Sequence, residues 1–186
     1  MNTVKAWRVQ RHGRPSTALD LDEIDRPEPG PGEVLVRAHS SALNYNEIDG
    51  CHGRYLTIDP PLPYTLGMEV LGTVTAIGVG AEAWMGRRVV ATGKGATGAY
   101  ADYVVAPVDM VFDAPPTLDD VAGAAFFFPF PLAWLGLHER GRLVSGETVL
   151  VHAGAGGVSS AAIQLARAAG ALVIATAGGP EKVEFC

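Results

Sequence analysis

Cysteine is scarce: the 186 residues hold two, Cys51 and Cys186, far apart and in no CxxC pair. That excludes a disulfide framework and a cysteine-rich zinc site, and makes a reducing cytoplasm the natural compartment. Basic charge is also short, with 14 Lys and Arg against 20 Asp and Glu for a net charge of −6. A nucleic acid or an anionic membrane recruited through bulk charge is therefore not expected. The first residues, MNTVKAWRVQRHGRP, lack the apolar core of a signal peptide. The apolar, charge-free stretch Val121 to Leu137 contains Pro129 and Pro131, and is too short and too broken for a membrane span. What the chain does have is 48% hydrophobic residues and 18% charged ones, enough to bury a core.

Two styles of sequence meet near residue 115. Before it, short β-like runs alternate with Gly/Pro turns: VKAWRV (4–9), EVLVRAHS (33–40), MEVLGTVTAIG (68–78), GRRVVAT (86–92) and AYADYVVAP (99–107). Strands so spaced, without helices between them, suggest a small antiparallel barrel or sandwich. After it, Thr117 with Asp120 three positions on reads as an N-cap opening a helix over 117–126, and a second helix covers 130–140. TVLVHA (148–153) and ALVIATA (171–177) are apolar runs of strand length on either side of an alanine-rich helix, and PEKVEFC opens another helix with Pro180 in its first turn. Strand, helix, strand with both strands apolar is a βαβ unit of a parallel sheet covered on both faces.

The sharpest local signal is the run Gly154, Ala155, Gly156, Gly157, Val158, Ser159, directly after a strand and directly before a helix. That is the context a dinucleotide fingerprint requires. Gly154 lets the chain turn, Gly156 admits a pyrophosphate close to the backbone, and the helix N-terminus offers N–H groups and partial positive charge to it. Ser159 stands where Gly or Ala is usual. At the end of the second strand an acid would bind the ribose 2′-hydroxyl of NAD, but the chain reads TAGGPEK. Gly178 and Gly179 leave room there, and Lys182 can meet a 2′-phosphate, so NADP(H) is the expected cofactor.

The ordered series PGPGEVLVRAHSSALNYNEID, PLPYTLGMEVLGTVTAIG, GAYADYVVAP and GETVLVHAGAGGVSSAAIQLARAAGALVIATA resembles the medium-chain dehydrogenase/reductase superfamily, and within it the zinc-independent quinone oxidoreductase-like branch. The resemblance implies an α/β plus β chain: a GroES-like β-barrel catalytic domain over 1–115, then connecting helices and the βαβ start of a Rossmann doubly wound parallel sheet over 116–186. Zinc-dependent relatives carry a Cys ligand where this chain has Asn44, and a His-Glu pair where it has Met68-Glu69. The five histidines lack ligand spacing, so no metal site is expected. The resemblance places Asn44 near the nicotinamide edge of the cleft with Tyr45 and Glu47 beside it, and Tyr55 at a tyrosine position downstream. Each of these four can equally serve to cap or close a turn. The chain departs from the pattern at Asp49, Cys51 and Leu132, where a tyrosine, an arginine and a threonine are common.

The function so implied is NADPH-dependent transfer of a hydride, without zinc, to a small electrophilic acceptor: a quinone or an activated C=C bond of an enone or enoyl thioester. The alternative is a non-catalytic nucleotide-binding or scaffold protein of the same fold. A doubly wound sheet has about six strands, of which the sequence supplies two. The chain is accordingly expected to be a truncated form of a longer enzyme, inactive alone, whose full-length form is a possible homodimer.

Overall fold

The computed structural model describes residues 3–186. They form two compact units, divided after Ala125, each treated by itself below.

In the first unit the strands are β1 (Thr3–Val9), β2 (Leu19–Asp25), β3 (Glu33–Ser41), β4 (Tyr64–Thr65), β5 (Glu69–Ile77), β6 (Arg88–Thr92), β7 (Tyr103–Pro107) and β8 (Val111–Asp113). The helices are α1 (Pro15–Ala18), α2 (Tyr45–Cys51) and α3 (Asp120–Ala124). Five strands make an antiparallel sheet in the order β7-β3-β5-β6-β8, and three make a second sheet in the order β2-β1-β4. A single bridge, Ala6 to Ala101, links β1 to the segment leading into β7. Two register shifts in the β3–β5 pair, between Leu35 and Val36 and between Ala38 and Ser40, bend the larger sheet. The result is a curled antiparallel half-barrel, the architecture that the resemblance implies.

Alternation builds the core. Val34, Val36, Val70, Val74, Val89 and Val104 turn inward and are almost fully buried. β-branched residues suit such a pleated inner face because their side chains are stiff there. In β1, Val4, Ala6 and Val9 are buried while Trp7 is 46% exposed.

Two expectations need adjustment, and the charged strand β2 stands outside the predicted runs. The 99–107 run is regular strand only from Tyr103. β2 (LDLDEID) is a strand despite its charge, because all seven of its residues pair with β1. The helix expected over 117–126 is Asp120–Ala124, with Asp119 as its cap, not Thr117: the Asp119 carboxylate accepts the Ala122 N–H at 2.7 Å. Thr117 is taken up by a turn in which Leu118 N–H bonds the Pro115 carbonyl at 3.2 Å. α3 then belongs with the barrel. Asp120 pairs with Arg88 at 2.8 Å and with His39 at 3.2 Å, and Ser40 bonds its carbonyl.

In the second unit, α4 (Pro129–Trp134) continues into wider turns over Leu135–Arg140, closed by Gly141 N–H on the Gly136 carbonyl. β9 (Thr148–Val151) and β10 (Leu172–Ala175) lie parallel, joined by α5 (Gly157–Ala168), with α6 (Pro180–Phe185) after them. Val151 is buried, but Leu150, Leu172 and Ile174 are 56%, 64% and 51% exposed. The sheet expected to be covered on both faces is thus covered on one: alternate side chains point to opposite sides, and α5 packs on a single side. Among the described residues no helix is long and apolar enough to cross a membrane.

Candidate functional site

The start of α2 and the start of β5 build the site together. Asn44 precedes α2 in extended conformation, and Glu47, third in the helix, closes a capping box on it. Glu47 Oε2 accepts the Asn44 N–H at 2.7 Å, and its Oε1 accepts the Met68 N–H at 3.1 Å. The Asn44 side chain turns to β5 as well, where Nδ2 donates to Glu69 Oε1 at 2.9 Å. Glu47 and Glu69 are 3% and 0% exposed. Burial pushes the Glu47 carboxyl above its ordinary value and the neighbouring Glu69 charge adds to this, against hydrogen bonds from Asn44 and Met68 that favour the charged form.

Above this brace lies an apolar cavity of about 330 Å³, bounded by Leu43, Asn44, Tyr45, Ile48, Leu66 and Tyr100 among others. Tyr45 stands at its rim, 70% exposed. The Tyr100 hydroxyl donates to the Ala42 carbonyl at 2.9 Å. Its ring lies over Gly67, whose φ of +94° and missing Cβ are what allow that contact.

Asn44, Tyr45 and Glu47 therefore meet at one cavity. Tyr55 does not join them: it lines a separate cavity of about 440 Å³ with His12, Asp59 and Tyr64. Its ring presses on Gly50, where a Cβ would come within 2.6 Å, and its hydroxyl has no hydrogen-bond partner among the described residues. Burial raises the pKa of this phenol. Of the departures from the family pattern, Asp49 is held by Arg54 at 2.8 Å, Cys51 is buried at the apolar cavity, and Leu132 is 45% exposed in the second unit.

Glu69 and Tyr100 are site residues that the sequence did not single out. Glu69 is visible there only as the second half of a replaced His-Glu pair, and Tyr100 only as part of a β-like run. Among the described residues no three His, Cys, Asp or Glu side chains gather to hold a metal ion. His39 instead bridges Asp120 and Thr73, each at 3.2 Å.

In the second unit the glycine run stands where β9 gives way to α5. The left-handed residue of this turn is Ala153, with φ of 53°, rather than Gly154. Gly154 serves close packing, since a Cβ there would lie 3.0 Å from Ala175 Cβ and 3.1 Å from Ile163 Cδ1. Its N–H bonds the Thr176 carbonyl at 2.8 Å, tying the turn to the end of β10. Gly156 caps α5, and no side chain caps the helix there or places an acid in its first turn. The Ser159 hydroxyl turns back to the His152 carbonyl at 3.1 Å. The N–H groups at Gly157, Val158 and Ser159 are thus left to an anion, and nothing stands within 4 Å of a Cβ built on Gly157. The chain fits a pyrophosphate at this point. Ala155 is half-buried in the turn, while Gly178, Gly179 and Lys182 are exposed beyond β10.

Comparison with known proteins agrees with both halves. Residues 30–116 match the model of the alcohol dehydrogenase GroES-like domain. The chain is 38% identical over 168 residues to phthioceranic/hydroxyphthioceranic acid synthase of Mycobacterium tuberculosis, covering 90% of this chain and 8% of that protein. It is 36% identical over 178 residues to human quinone oxidoreductase, covering 96% of this chain and 54% of that one. A mycobacterial protein solved in complex with NADPH superposes with a TM-score of 0.87 at 33% identity, over 97% of this chain and 55% of its own. The enoyl reductase JamJ superposes with a TM-score of 0.84 at 28% identity, over 94% of this chain and 54% of its own. The chain thus spans about half the length of its quinone oxidoreductase relative and a small part of the synthase. A curled half-barrel followed by a glycine turn on a parallel strand pair, with these matches, makes residues 30–116 an alcohol dehydrogenase GroES-like domain, in a chain similar over nearly its whole length to quinone oxidoreductases of the medium-chain dehydrogenase/reductase superfamily.

Proposed function

We propose that these residues serve an NADPH-dependent reductase that passes a hydride, without zinc, to a quinone or to an activated C=C bond. The observation that carries the reading is the apolar cavity beside Asn44. Its walls suit a flat conjugated acceptor, and its few polar groups are held in place by buried partners.

Each residue has a part. Asn44 and Tyr45 offer hydrogen-bond donors at the edge of the cavity, able to polarise a carbonyl conjugated to the reacting carbon. Glu47 has both oxygens engaged and braces Asn44 without reaching a ligand. Gly154, Gly156, Gly157 and Val158 would hold the pyrophosphate, and Lys182 the 2′-phosphate. A nicotinamide dinucleotide bound there supplies the hydride. The reaction adds that hydride to the electrophilic carbon and a proton, from the Tyr45 hydroxyl or from water, to the other end of the conjugated system. Zinc-free chemistry is supported by Asn44 and Met68, neither of which offers the thiolate or imidazole that zinc-dependent relatives use. Scarce cysteine supports a cytoplasmic setting.

The test has two stages. NADPH and NADH are titrated by the quenching of protein fluorescence, and NADPH oxidation is then followed with a panel of quinones and enones. Selective NADPH binding is the expected result, with turnover of either acceptor class when these residues are joined to a complete cofactor domain; robust turnover by the 186 residues alone would overturn the expectation that they are inactive by themselves. Binding without turnover in either form favours a nucleotide-binding scaffold, and no binding in either form removes the proposal.

A further inference from the structure

We propose that Glu69 is a positioning residue, whose buried carboxylate holds the Asn44 carboxamide in a single orientation and so fixes which edge of that amide the cavity presents. The proposal rests on the function proposed above only for its catalytic consequence.

The geometry is specific. Glu69 Oε1 lies 2.9 Å from Asn44 Nδ2, and Glu69 is fully buried. A carboxylate only accepts, so it selects the amide nitrogen over the amide oxygen and removes the near-degeneracy of an asparagine flip. Helix capping does not explain the contact. Glu47 already satisfies the Asn44 main-chain N–H, and the Glu69 contact reaches the side-chain nitrogen, which takes no part in a capping box. Asn44 is thus held by its backbone through the Glu47 carboxylate, by its side-chain oxygen through the capping box, and by its side-chain nitrogen through Glu69.

Strand formation does not explain it either. Glu69 opens β5 ahead of the buried residues Val70 and Leu71, a place where an apolar side chain would pack at no desolvation cost. A buried acid that breaks the local pattern yet bonds a residue of the cavity is the signature of a functional constraint. Its effect is on orientation: Asn44 stands beside a cavity whose other walls are largely apolar, so the edge it shows decides how a polar ligand group docks.

The experiment reads the Asn44 side-chain amide directly, in the ¹⁵N-labelled full chain, with the signal pair identified by its loss in Asn44→Asp. In the wild type this pair should be shifted from free-amide positions and slow to exchange with solvent. Glu69→Val removes the acceptor and should speed that exchange about tenfold or more. Glu69→Gln keeps an acceptor oxygen, so it should retain slow exchange with a displaced shift. In protein that turns over NADPH, Glu69→Val should lower kcat on the order of 10²-fold and leave the KM for NADPH within about twofold, with Glu69→Gln between the two. Unchanged Asn44 signals in a folded Glu69→Val overturn the proposal. If that variant does not fold, Asn44 signals in Glu69→Gln identical to wild type overturn it. A protein that binds NADPH but reduces no acceptor defeats the proposed reaction and leaves the amide readout to decide on Glu69.

Discussion

Glu47 and Met68 are fastened together: the buried Glu47 carboxylate accepts the Met68 N–H at 3.1 Å, so the first turn of α2 is pinned to the entry of β5. This contact sits in the interior because the same carboxylate also caps its own helix, and the two bonds compensate for part of the desolvation it suffers.

A pH dependence follows from the balance at Glu47. Burial raises its pKa above the ordinary 4.5 in the folded chain. A carboxyl raised in this way favours folding when protonated. Its contribution is fully present below the unfolded value and is lost as pH rises through the higher folded value. Urea unfolding of wild type and Glu47→Gln over pH 4 to 8 should show the wild type losing ground relative to the variant as pH rises. Parallel curves across that range would show that Glu47 carries no such linkage.

Gly72 tests how tightly the curled sheet is wound. A Cβ on Gly72 would overlap the Arg37 carbonyl oxygen and press within 2.7 Å of Val36 Cγ1. Backbone on one side and a buried valine on the other leave no easy escape. Gly72→Ala should cost about 1–3 kcal/mol in urea unfolding, with an unchanged m-value. A cost near zero would mean that β3 and β5 can part without penalty.

How much of this was legible in the sequence depends on the range of the interaction. The valine-rich runs of β3, β5 and β6 announced themselves by composition, and the glycine run by its place between a strand and a helix. β2 did not, since its Asp and Glu residues leave no apolar run to mark it; only its pairing with β1 makes it a strand. Asn44 and Glu47 are three apart, and their capping box was open to view as an alternative. Glu69 lies far along the chain from Asn44, and no spacing rule reaches that distance. Ala153, not Gly154, takes the left-handed conformation, and the need for glycine at 154 comes from Cys186, Ala175 and Ile163, which only the fold brings near.

The cap of α3 gives a clean local test. Asp119 Oδ1 accepts the Ala122 N–H, whereas Thr117 lies in the preceding turn. Asp119→Ala should destabilise the chain by about 1 kcal/mol. Thr117→Ala should fall within about 0.5 kcal/mol of wild type, as surface changes away from such features do. The reverse order by thermal or urea unfolding would restore Thr117 as the cap.

Lys182 bears on cofactor choice. It is exposed near the start of α6, past Gly178 and Gly179, where nothing within 4 Å would meet an added Cβ. A 2′-phosphate placed there gains a charge-assisted hydrogen bond that NADH cannot make. Lys182→Ala should therefore weaken NADPH binding about tenfold and leave NADH binding unchanged. The difference should shrink as salt is raised, because an exposed pair is screened. Equal losses for both nucleotides would assign Lys182 to the fold of the turn rather than to the phosphate.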